Sequence, residues 1–254
     1  MFRMVNPLRR GRRKSDKAKA QACCWNCCSS NYFRIIFISI SPTINMKLKD
    51  FVRQYGKPYS EMLGINLKSK KNEEILKWFL ASILYSKSIQ EKCATKTYKC
   101  FEKYDVLNPK EILKAGWNDL VEILDEGSYT RYDFSTADKL LEVFGNLQKF
   151  YNGDLNKLHD LSKDSKDLES RIKSLGKGMG DITVSIFLRE MRNIWKKADP
   201  KPSPLVRLAM NKLKIKDLKE FSENKKYNLI NLETALLRLA KDFIRKNKKV
   251  KITL

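Results

Sequence analysis

Leu175-Gly-Lys-Gly-Met-Gly-Asp-Ile-Thr-Val-Ser185 is the stretch on which the reading of the chain turns. Gly176, Gly178 and Gly180 alternate between two amphipathic segments, Asp167–Leu175 before and Gly180–Trp195 after. Inside a helix each glycine costs about 1 kcal/mol relative to alanine. Three so close together mark a tight turn that needs positive φ or a backbone that something approaches closely. A turn opening into a helix N-terminus bares several N–H groups, and such a nest suits a phosphate. The downstream helix carries Val184, Phe187, Leu188, Met191 and Trp195 on one face, a stripe that faces a core.

Charge points the same way. The 254 residues hold 52 Lys and Arg against 29 Asp and Glu, a net charge of +23 that favours a polyanionic partner. The one histidine, His159, lies in a polar stretch and reads as a surface residue; a two-histidine zinc helix is excluded. Cys93 and Cys100 read as buried or half-buried thiols of a reducing compartment. Cys23, Cys24, Cys27 and Cys28 could bind a metal, but four sulfurs within six residues are cramped for one tetrahedral site and no distant second pair exists; no metal and no cofactor are expected. Residues 1–45 differ from the rest: nine basic residues, one acidic, then Tyr32–Ile40, an apolar run too short to span a membrane. The preferred reading starts the protein at Met46, with 1–45 an upstream artefact or a disordered basic tail. Residues 46–254 then form one helical domain of net charge +15.

From Met46 onward the pattern is helical almost throughout. Met46–Tyr55 is a short helix or arm. Asn72 caps a central buried helix ending at Tyr85, and Ser88–Tyr104 is a second helix. Asn108-Pro109 opens a third that stops at Ala115-Gly116, before a short helix over Trp117–Leu124. Gly127–Asp133 is a polar aromatic loop before the long helix Phe134–Asn152. Asp154–Ser165 reads as a polar connection. Ser203-Pro204 starts a helix over Leu205–Lys212, and the last one covers Leu229–Lys246. No stretch has the alternation of a strand.

From Glu73 to Arg207 the chain resembles the helix-hairpin-helix DNA glycosylase superfamily, the endonuclease III-like group. Gly178-Met-Gly180 followed by Thr183 and Val184 resembles that family's Leu-Pro-Gly-Val-Gly-x-x-Thr-Ala hairpin. Ser82–Ser86 is similar to the end of its first core helix, and Gly127 with Ser135–Lys139 to its Gly-x-x-x-x-Lys-Ala segment. Asp199 to Arg207 occupies the place of its Asp-Thr-His-x-x-Arg. Gly180–Met191 and Ile194–Pro200 look like a poorly characterised branch; no cysteine follows Cys100, which excludes the C-terminal iron-sulfur loop.

The resemblance implies an all-α, two-lobed fold with a cleft between the lobes, a hairpin that grips the backbone of duplex DNA, and a damaged base extruded into the cleft. It assigns DNA contacts to Gly176, Lys177, Gly178, Met179, Gly180, Thr183 and Arg207, and a base pocket or wedge to Lys87, Gln90, Tyr129, Arg131 and Tyr132; the alternatives are a solvated loop for Lys87 and Gln90 and aromatics that close the core for Tyr129 and Tyr132. Asp199 would stabilise the sugar cation or activate water. Bifunctional members carry a lysine at the head of the second hairpin helix; this chain has Ile182 there, so Schiff-base lyase chemistry is not expected from that position. Strict alignment on Arg207 puts Pro202 where the catalytic Asp should be, with Asp199 three residues earlier. Asp181 caps the helix or competes with the phosphate. Lys139 reads as a surface or phosphate-facing residue, and adjacent Arg189 and Glu190 as structural. The leading expectation is a monofunctional base-excision DNA N-glycosylase, monomeric, cytoplasmic and nucleoid-associated. The rival is a catalytically silent DNA-structure-binding protein. A helix-turn-helix regulator fits less well, because Ile182–Trp195 is too apolar to read bases.

Overall fold

The computed structural model describes residues 44–254, so the expectations for residues 1–43, the four-cysteine cluster among them, lie outside the described residues. The described part is mostly helical: α1 (Leu48–Tyr55), α2 (Tyr59–Met62), α3 (Asn72–Tyr85), α4 (Glu91–Lys103), α5 (Pro109–Glu126), α6 (Asp133–Tyr151), α7 (Leu155–Leu161), α8 (Ser165–Lys173), α9 (Asp181–Met191), α10 (Pro204–Leu213), α11 (Leu218–Asn224) and α12 (Leu229–Arg238). A π-helical turn, Leu239–Ile244, continues α12. Among the described residues no helix is long and apolar enough to cross a membrane.

The apolar side chains sort into two cores. The larger is contiguous in sequence, from Tyr59 in α2 to Ala198 just past α9. Its centre is α3, where Ile75, Trp78, Phe79, Leu80, Ile83 and Leu84 are all buried. A helix apolar on every side must be enclosed on every side. α9 packs on it through the expected stripe: Phe79 and Phe187 meet edge to face at 5.0 Å, and Trp78 Nε1 donates to the Phe187 carbonyl at 3.1 Å. The smaller core joins the two ends of the described chain, Leu48, Phe51 and Val52 of α1 with apolar residues of α10, α12 and the π-turn.

Several local features differ from the sequence reading. Two short strands do exist, β1 (Ile44–Lys47) and β2 (Val250–Thr253), paired in parallel, with Ile44 opposite Val250. Asn72 is not a cap. Its side chain donates to the Gly153 carbonyl and accepts from the Leu155 N–H, tying the start of α3 to the α6–α7 turn. The expected polar connection after Asn152 contains α7, capped by Asp154, and α11 appears where no helix was expected, capped by Asp217. Gly116 does interrupt α5, at φ 69° and ψ −174°. His159 is not a surface residue. Its ring stacks on Trp195 at 5.0 Å and 16°, with Nδ1 3.0 Å from Asp160.

A polar seam joins the two cores. Glu190, buried on α9, accepts at 2.9 Å from the N–H groups of both Tyr59 and Ser60 and so caps α2. Arg189 and Glu190 do face each other, at 3.5 Å, against the expectation for neighbours on a helix. Arg238 of the smaller core lies over the Tyr59 ring and donates to the Lys57 carbonyl at 2.8 Å. Lys241 pairs with Glu91 across the seam at 3.3 Å. Buried Glu233 on α12 pairs with Arg192 beyond α9, and Arg192 also donates to the Pro200 carbonyl at 2.6 Å.

Candidate nucleic-acid interface

The turn between α8 and α9 explains two of its three glycines from within. Gly176 presses on α6: an added Cβ would lie 2.7 Å from Val143 Cγ2 and 3.3 Å from Glu142 Cδ. Gly178 has φ +81°, the left-handed region where a side chain is strained. Gly180 shows neither restraint. It is extended at φ −90°, it caps α9 with no side chain, and a Cβ there meets nothing within 4 Å.

The backbone donors of the turn divide in the same way. The Lys177 N–H is taken by Glu142 Oε2 at 3.0 Å and the Met179 N–H by the Gly176 carbonyl at 3.2 Å. The N–H groups of Asp181, Ile182 and Thr183 open α9 and have no intrahelical acceptor, and no side chain caps them. Asp181 does not compete for them. Its carboxylate turns back to Lys173 on α8 at 2.5 Å, and that ammonium holds the carboxyl below its ordinary pKa.

Beneath the turn lies Lys139. This residue of α6 is 5% exposed, and its Nζ donates to the Gly178 carbonyl at 2.7 Å. It is not at the surface, contrary to the sequence reading, and its ammonium is engaged by a backbone carbonyl of the turn. Burial, with the charge of nearby Lys87, pulls its pKa from 10.5 down to about 8. Lys87, in the loop between α3 and α4, also lies over the Tyr132 ring at 5.4 Å, and Arg131 lies over the same ring at 5.4 Å. Contacts thus run from the hairpin to Lys139, from Lys139 to the charge of Lys87, and from Lys87 through the Tyr132 ring to Arg131. Lys87, Arg131 and Tyr132 are the expected base pocket or wedge residues among them, whereas nothing in the sequence marks Lys139 as buried beneath the turn.

Other expected site residues fall elsewhere. Tyr129 is a core residue, 1% exposed, with its hydroxyl donating to the Leu84 carbonyl at 2.7 Å, so it is not available as a wedge. Met179 and Thr183 are buried and support the hairpin from inside. Gln90 caps the start of α4 without a side-chain bond. Ile182, where bifunctional relatives of the resembled family carry lysine, is 63% exposed. Asp199 lies past the far end of α9 from the hairpin, in the segment joining the two cores. Its carboxylate is half-exposed and held by Lys219 at 2.6 Å, with Arg192 Nε at 4.0 Å. Arg207 lines a concavity of 420 Å³ on the smaller core with Met210, Asn211 and Lys214. Pro202 is followed by Ser203, whose hydroxyl caps α10. Among the described residues no group of three or more His, Cys, Asp or Glu could hold a metal ion.

No family model matches the chain, and no match was found among curated proteins or solved structures.

Proposed function

We propose that the chain binds the backbone of duplex DNA through the Gly176–Gly180 hairpin, as a helix-hairpin-helix protein. Gly180 carries this reading. No φ and no contact within the described chain requires glycine there, and it stands where the uncapped N–H groups of α9 begin. A bare Cα at that place lets an oxyanion approach the backbone. Lys87 acts electrostatically on Lys139 beneath the turn, Arg131 shares the Tyr132 ring with Lys87, and the net charge of +23 suits a polyanion. Support also comes from the two cores. One is contiguous and carries the hairpin, while the other is built from the ends of the described chain, an arrangement compatible with a two-lobed fold.

A second reading, base excision as a monofunctional DNA N-glycosylase, rests on Asp199. Its carboxylate stays half-exposed in the segment that joins the cores, where it could stabilise a sugar cation or activate water. Its ion pair with Lys219 must open for that role, which is why binding without chemistry fits the geometry better. The two readings separate on one experiment, a panel of duplexes with damaged or mismatched bases and wild type beside Asp199→Asn. A base released without strand nicking, and lost in the variant, supports excision. Binding with no product across the panel supports the silent binder, and no binding to any duplex refutes both.

A further inference from the structure

A buried lysine is costly, because its charged form loses hydration. Lys139 is buried, yet its only described hydrogen bond goes to the carbonyl of the one glycine in the hairpin with positive φ. A structural donor to that carbonyl needs no charge, and a solvated phosphate-binding lysine needs no burial. The arrangement makes sense if the ammonium sets the conformation of the turn. We propose that Lys139 is a positioning residue of the hairpin: its ammonium draws the Gly178 carbonyl inward and thereby holds the turn in the shape that offers its free N–H groups to a phosphate.

The surroundings define when this strut works. Lys87 faces Lys139 from the α3–α4 loop and destabilises its charge. Glu142, one turn further along α6, is engaged with the Lys177 N–H. Arg131 and Tyr132 stand on the loop before α6, and the Lys173–Asp181 pair closes the hairpin on its other side. With its pKa at about 8, Lys139 loses its proton within a range where ordinary lysines keep theirs. A neutral amine is a weaker donor to a carbonyl. The same lowered pKa means that the closed turn releases the proton more readily than an opened, solvated one, so the strut is read at pH 6.5, where Lys139 is charged.

The inference rests on the DNA-binding reading, but it has a readout in the free protein. One arm measures DNA affinity by anisotropy at constant ionic strength and pH 6.5. Lys139→Met should bind about tenfold more weakly than wild type. Lys139→Arg should bind as tightly as wild type. The other arm measures hydrogen-exchange protection of the Lys177 and Met179 amides without DNA. At pH 6.5 protection should be high in wild type, low in Lys139→Met and retained in Lys139→Arg. If protection follows this pattern but no DNA binds, the DNA reading fails and the strut stands. If protection in Lys139→Met matches wild type at pH 6.5, the strut is refuted whatever the affinity.

Discussion

Replacing Lys139 by methionine keeps the aliphatic stem and removes the amine, so the two proteins should differ in stability by an amount that depends on pH. On folding, the lysine pKa falls from 10.5 to about 8. Below pH 8 both folded and unfolded chains are protonated at this site, and the folded state bears the full penalty of the buried charge. Between pH 8 and 10.5 the folded chain has released the proton while the unfolded chain retains it, so stability rises with pH. At 1.36 kcal/mol per pH unit, the whole gain is about 3 kcal/mol. Lys139→Met lacks this gain. Urea unfolding of both proteins at pH 7, 8, 9 and 10.5 gives the difference directly, and other titrating groups cancel. Wild type should gain about 3 kcal/mol relative to Lys139→Met across that range. Parallel stability curves would refute the claim that Lys139 is buried as a charged group.

Other perturbations follow from single contacts. Gly176→Ala puts a methyl 2.7 Å from Val143 in the core and should lower stability by about 1–3 kcal/mol; an unchanged urea midpoint would mean the turn is not pressed on α6. Glu233→Ala leaves Arg192 buried without its carboxylate and should cost about 3–5 kcal/mol, read as a lowered thermal midpoint. Asp199→Asn breaks a half-exposed pair and should change stability by less than about 1 kcal/mol, so any loss of base excision in that variant cannot be charged to unfolding.

Much of this was legible in the sequence because it is local. The stripe from Val184 to Trp195 faces the core because its spacing follows the helical period. Gly116 breaks α5, and Ser203-Pro204 opens α10, because backbone chemistry at those residues leaves few alternatives. What escaped the sequence depends on distant partners. β1 and β2 pair residues about two hundred positions apart, and neither strand shows alternation strong enough to stand alone. Lys139 looks solvated in its own helix, and only the fold places the Gly178 carbonyl against it. His159 and Trp195 stack across two elements that no local pattern connects. Tyr129 and Tyr132 looked equivalent in their loop, yet one hydroxyl reaches the Leu84 carbonyl inside the core while the other ring lies among cations. The hairpin itself was visible from its glycines, but not the division of labour among them: Gly176 for packing, Gly178 for its φ, and Gly180 for neither.

The most direct measurement is an anisotropy titration of one duplex with wild type and with Gly178→Val, both in the 254-residue chain. The basic residues 1–45 contribute equally to both, so the difference isolates the hairpin. A β-branched side chain at φ +81° should distort the turn while leaving the helices, and hence the far-ultraviolet circular dichroism, intact. A hairpin grip requires the variant to bind about tenfold or more weakly, with a shallower dependence on salt. Equal affinity and equal salt dependence in two equally helical proteins would contradict it.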